Sequence, residues 1–178
     1  RLPDEYLALK GEIVTAWAVQ EHELRLLIFL LLTLDPKRGR LAVKNLRAKE
    51  TVDLATDLMH LSDLKSKTTK LREFGGVLEE IENRRNAIAH NIWLRSSSDQ
   101  LFIQSLTGTW PSKNGEFKRK RKIDPAGVPV AAANLKDLLS AVRNTIHQTR
   151  LLRQEVASAL QKSGRTVVAP TESEPGTP

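Results

Sequence analysis

Arg85, Asn86 and His90 are the residues whose types and spacing could do chemistry together. Histidine moves protons near neutral pH. Arginine offsets phosphate charge with a bidentate fork, and an amide can orient a phosphate oxygen. Side chains alone could therefore transfer protons and stabilise charge at a phosphodiester, with no metal. The stretch around them reads as the second half of a helix with apolar positions Phe74, Leu78, Ile81, Ile88 and Ile92. At about 100° per residue those five fall in one narrow arc, and Arg85 falls in its middle. A guanidinium there must be paired or face water, because it cannot shed its charge. Asn86 and His90 are four apart and stack on one face, while Ala87 and Ala89 leave that face open. The bland alternative is an interhelical polar network with a satisfied histidine.

The elements that must position these residues follow from the pattern along the chain. A first helix is expected from Pro3-Asp4 to Leu34, where Asp35-Pro36 stops it. Its core face is Ile13, Trp17, Leu24, Ile28 and Leu31, and Glu21 lies on the same face. A carboxylate and an arginine at two core-facing positions are expected to meet, so Glu21 should pair with Arg85 and hold it in place. A second helix is expected from about Arg40 to Leu64, with Leu41, Leu54, Leu58 and Leu61 among its apolar positions. Ser66 to Thr69 offer N-caps for the third helix, which carries the motif. Gly75-Gly76 in that helix marks a local kink or a close helix crossing. Trp93 could stack on a base or close the pocket, or could be a plain core or interface tryptophan.

Beyond Trp93 the period changes. Leu101 to Leu106 and Glu116 to Ile123 could pair as a hairpin through an Asn114-Gly115 turn, or form a loop. A fourth helix spans about Ala131 to Lys162, with Leu135, Leu138, Val142, Ile146, Val156 and Leu160 inward. Residues 1–163 thus read as one helical domain. Residues 164–178, rich in Thr, Glu, Ser and Pro, read as a disordered tail.

Arg85-Asn86-x-x-x-His90, late in the third helix and preceded by a helix bearing Trp17 and Glu21, resembles the signature of HEPN domains. The resemblance of layout covers roughly Leu7 to Leu160. It implies an all-α, up-and-down four-helix bundle, with the hairpin or loop inserted between helices 3 and 4. It also implies a metal-independent RNA endonuclease without cofactor, acting as a homodimer and leaving 2′,3′-cyclic phosphate ends. His90 would be general acid or base, Arg85 the transition-state clamp and Asn86 the orienting residue, with Glu21 and Trp93 in support. Such proteins commonly belong to toxin–antitoxin, abortive-infection or anti-phage systems, so an antitoxin or other regulatory protein is a possible partner. Other members of the family are non-catalytic and bind RNA or a partner protein.

Composition sets the bounds. The chain has 178 residues, 40% of them hydrophobic, and no cysteine, which excludes disulfides and cysteine-based metal sites or nucleophiles. That fits a reducing compartment, and a cytoplasmic location is expected. The chain starts at Arg1 rather than Met, which fits a trimmed or processed start, and no signal peptide is evident. The greasy run Leu26 to Leu32 is far shorter than the ~20 residues of a membrane helix. His22, His60 and His147 lack metal-ligand spacing. No Walker pattern and no nucleophile elbow occurs.

The net charge is +7, and Lys118-Arg119-Lys120-Arg121-Lys122 alone supplies five positive charges. So local a strip points to a polyanion such as RNA, although it could be only a solubilising loop. Neutralising Lys118, Lys120 and Lys122 together should weaken RNA binding and flatten its salt dependence. Each lost phosphate contact should lower the log–log slope by about 0.7 for single strands. An unchanged slope in a salt titration would assign the strip to solvation alone.

Overall fold

The computed structural model describes residues 2–44, 46–62, 64–104 and 128–164. The strip Lys118 to Lys122, the second expected hairpin strand and residues 165–178 lie outside the described residues. The protein is mostly helical: α1 (Asp4–Leu31), α2 (Pro36–Ala42), α3 (Ala48–Leu61), α4 (Thr68–His90) and α5 (Ala132–Lys162). A small antiparallel sheet between α4 and α5 consists of β1 (Ile92–Arg95), β2 (Leu101–Gln104) and β3 (Val128–Pro129), in that order. No helix among the described residues is long and apolar enough to cross a membrane.

The core is one cluster in which Ile13, Trp17, Leu24 and Ile28 of α1 meet Val52 and Met59 of α3, Leu71, Leu78 and Ile81 of α4, and Leu135, Leu138, Val142 and Leu160 of α5. All six apolar positions expected to face inward on the last helix are buried. Polar pairs tie α1 to α5 in ascending order. Glu5 meets Lys136 at 2.8 Å, Glu12 meets Arg143 at 2.9 Å, and Gln20 Nε2 donates to Thr149 Oγ1 at 2.9 Å. Glu23 then accepts from Arg150 Nε at 2.7 Å, with Arg153 3.2 Å from its other oxygen. The two helices therefore run parallel.

α4 runs against both, since Lys67 just before its start bonds Glu155 late in α5 at 2.6 Å, whereas Trp93 just after its end packs on Tyr6. α3 is antiparallel to α4, with Lys49 beside Glu79 at 3.0 Å and Val52 beside Gly75. So α1, α3 and α5 point one way and α4 the other. The helical class expected from sequence is present, but the strict up-and-down alternation is not.

The reason lies in the connection after α1. The expected second helix is two helices. Asp35 ends nothing by itself: its carboxylate caps α2, accepting from Lys37 N at 2.9 Å and Arg38 N at 3.1 Å, with Pro36 in the first turn. These bonds, the Arg38 N–H foremost, hold the Asp35 carboxyl below the usual carboxylate range. α2 then folds back, and the Phe29 ring lies where a side chain at Gly39 would be. That return lets α3 start again beside the middle of α1 and run parallel to it. Leu41 (77% exposed) and Leu61 (79%) face solvent, and Ala48, Val52, Ala55 and Met59 carry the buried face instead.

α4 also ends earlier than its apolar arc. Asn91 is extended (ψ 162°), and Ile92, 41% exposed, begins β1. β1 pairs with β2 from Ile92↔Gln104 to Arg95↔Leu101, and β2 pairs with β3 through Phe102↔Pro129. The first expected hairpin strand is therefore real over Leu101–Gln104, but its described partners are β1 and β3. Asp99 takes the left-handed conformation (φ 67°) in the β1–β2 turn, where its carboxylate holds Arg95 at 2.6 Å.

Of the two readings of Gly75-Gly76, the close crossing is the one observed. A Cβ at Gly75 would lie 2.9 Å from Val52 Cγ1, whereas at Gly76 it would meet nothing within 4 Å. Gly76→Ala should stabilise the fold by about 1 kcal/mol through helix propensity. Gly75→Ala should destabilise it, because a β-branched valine on a packed helix has little freedom to yield. Adding Val52→Ala to Gly75→Ala should remove that clash. Urea melts of the four proteins check the pattern.

Candidate active site

The motif residues are delivered by the last two turns of α4. Asn86 and His90 line one open cleft of about 490 Å³, together with Arg47, Glu82, Asn83, Ala87 and Asn91. Glu82, Asn86 and His90 recur every fourth residue, so they form one stripe along the helix. Arg47 comes from the residue that caps α3, where its backbone N–H donates to Glu50 at 2.8 Å. The His90 side chain is exposed and makes no hydrogen bond among the described residues. It is accessible to a ligand.

Arg85 stands behind Asn86 rather than on the cleft wall. Its Nη1 donates to Asn86 Oδ1 at 2.7 Å, and its buried Nε has no hydrogen-bond partner among the described residues. An arginine only donates, so the Asn86 carbonyl must face it. The two N–H donors of the Asn86 amide are left for the cleft. Arg85 thus fixes which end of Asn86 a ligand meets.

The expected Glu21–Arg85 pair is absent, which corrects the sequence reading. Glu21 accepts from Trp17 Nε1 at 2.9 Å and lies 3.8 Å from Arg25. The helical arc placed Glu21 on the core face, yet it sits at that face's margin, where its own helix supplies both partners. The buried polar residues of α1 are Gln20 and Glu23, both turned to α5. Glu21 is coupled to the site only through charge: burial first, and the Glu21 carboxylate next, push the Glu82 carboxyl up, with Glu50 adding and Arg47 and Arg85 opposing.

Trp93 is a structural tryptophan. Its Nε1 donates to Ile88 O at 3.1 Å, a carbonyl left open because α4 stops short, and its ring meets Tyr6 edge-on at 6.2 Å. Tyr6 Oη in turn accepts from Ala132 N at 3.1 Å, and Lys10 Nζ lies 5.8 Å from the Trp93 ring centre. The residues missed from sequence are Arg47, Glu82, Asn83 and Asn91. Glu82 carried a signal, one turn before Asn86 on the same stripe. Arg47 carried none, because only the fold brings α3 to α4.

No group of three or more His, Cys, Asp or Glu able to hold a metal occurs among the described residues. Compared with protein-family models, curated proteins and solved structures, the chain matches none.

The folded protein holds the Glu82 proton more tightly than the unfolded chain does. Glu82 therefore costs stability above its raised pKa and costs none below the ordinary glutamate range. Glu82→Gln should raise the melting temperature at pH 7, and the gain should fade as pH falls through that window. Thermal melts of both proteins across pH 4–8 check the sign.

Proposed function

We propose that this chain is a metal-independent RNA endonuclease of the HEPN type, with His90 as its proton-transfer group. The observation that carries the reading is the shared cleft: Asn86 and His90 line it one turn apart, with Arg85 fixing the Asn86 amide. An accessible imidazole, two oriented N–H donors and the Arg47 guanidinium fit a phosphodiester. The reading rests on that cleft and on the motif, not on the helix order, which departs from the alternating bundle.

In this reaction the RNA 2′-hydroxyl loses its proton and attacks the adjacent phosphorus. The 5′-oxygen leaves with a proton, and a 2′,3′-cyclic phosphate remains. One step needs a base and the other an acid. Each chain brings one such histidine, so a homodimer supplies the second across a two-fold axis. Arg85, read from sequence as the clamp on phosphate, acts in this arrangement through Asn86, and Arg47 is the guanidinium on the cleft wall. A role in toxin–antitoxin or anti-phage defence, with a protein antitoxin as regulator, belongs to the same reading.

One observation favours a second reading, a non-catalytic bundle that binds RNA or a partner protein. Glu82 puts a carboxylate on the wall of the same cleft, where it repels phosphate. Labelled RNA incubated with the protein in EDTA separates the two. Cutting should persist and leave 2′,3′-cyclic ends. His90→Ala should lower the rate about 10²–10⁴-fold with the fold intact. RNA that binds but stays whole would favour the second reading.

A further inference from the structure

The carboxylate on the cleft wall has a use if the ligand turns a base toward it. The cleft is not uniform along α4. Glu82 and Asn83 line its N-terminal end, and Asn86, His90 and Asn91 line the other. At 1.5 Å per residue, Glu82 lies about 6 Å along the axis from Asn86 and about 12 Å from His90. A phosphate held at Asn86 and His90 leaves the attached nucleoside to reach toward Glu82. A phosphate at the Glu82 end would instead face a carboxylate, in a field to which Glu21 and Glu50 add and which Arg47 and Arg85 oppose. Contact with the carboxylate itself therefore disfavours phosphate at the Glu82 end and favours a neutral donor group there, which leaves the phosphate toward His90.

We infer that Glu82 and Asn83 form a base-reading subsite beside the phosphate end of the cleft, and that it takes guanine. The inference rests on the RNA reading of the same site and adds the base that the site selects. An ionised carboxylate only accepts hydrogen bonds, and it accepts two side by side. Among the four RNA bases, guanine alone offers two adjacent donors on its Watson–Crick edge, N1–H and the 2-amino group. Uracil offers one flanked by two acceptors, and adenine and cytosine offer one amino group beside an acceptor. Asn83, with both a donor and an acceptor, can meet the guanine O6. Single-stranded RNA exposes these edges, and such readout is the usual source of sequence preference in its binding. A site built to hydrogen-bond such an edge rejects the base that lacks it, because its own polar groups are then left unpaired.

Fluorescein-labelled pentanucleotides of 2′-O-methyl RNA test this, since they have no free 2′-hydroxyl and cannot be cut. Four versions differ only in a central guanine, inosine, adenine or uracil, and anisotropy measures their binding. Guanine should bind on the order of 10-fold tighter than adenine or uracil. Inosine, which lacks only the 2-amino group, should lose much of that preference. Glu82→Gln, checked by circular dichroism, should bring guanine level with adenine. Equal binding of guanine and inosine by the unaltered protein overturns the inference without any variant. So does a guanine preference that survives in folded Glu82→Gln. A protein that prefers guanine yet cuts no natural RNA keeps the subsite and overturns the nuclease. A protein that binds none of the four overturns both.

Discussion

The end of α4 is the constraint on which the site depends. A helix that ran on through Ile92, as its apolar spacing invites, would leave His90 within a continuing helix rather than at its end. The chain stops because Asn91 turns extended, and Trp93 then doubles back so that its indole N–H satisfies the Ile88 carbonyl. An unsatisfied carbonyl at a half-buried helix end costs roughly 1–3 kcal/mol, so the tryptophan is part of how the helix can end there. The same ring leans on Tyr6, whose hydroxyl receives the first N–H of α5. One corner thereby fixes the last turn of α4 against the first turns of both α1 and α5. His90 sits at the lip of that corner, exposed on its own account but anchored through its neighbours.

The cleft has a second support in the pairing of Arg85 with Asn86. Neither residue is a free agent: the arginine has a carbonyl to donate to, and the amide has one end committed. Arg85 is only half-buried, so no carboxylate partner is required to hold its charge there. That also explains why Arg85 can occupy the centre of the arc while Glu21 remains with Trp17 and Arg25.

Much of this was legible in the sequence, and the failures have physical causes. The long terminal helices, the inward face of the last one and the placing of Asn86 with His90 followed from period and spacing. The split of the second helix did not, because no proline or glycine marks the break between Ala42 and Ala48, and Asp35-Pro36, read as a stop, is the cap of α2. Leu41 and Leu61, two of the apolar positions of the expected second helix, face solvent, because leucine spacing does not distinguish a buried face from an exposed one on a short, broken helix. Ile92 fitted both a helical arc and the start of a strand. The Glu21–Arg85 pairing failed because an arc on a helical wheel does not say which neighbour supplies the partner. Arg47 belongs to another element altogether, and no local pattern could have joined it to the motif.

The parallel seam between α1 and α5 has a consequence for how the molecule is made. Glu12 and Arg143, which meet across it, are 131 residues apart in the chain. As synthesis proceeds from the N-terminus, α1 emerges first and its partner last. Ile13, Trp17, Leu24 and Leu27 lack their final cover until α5 is out. Pairings of such long range are slow to close, and greasy surface left waiting is prone to associate with other chains. The assembly of this bundle thus depends on α1 and α5 finding each other across the chain between them, and α1 is the part most in need of protection while it waits.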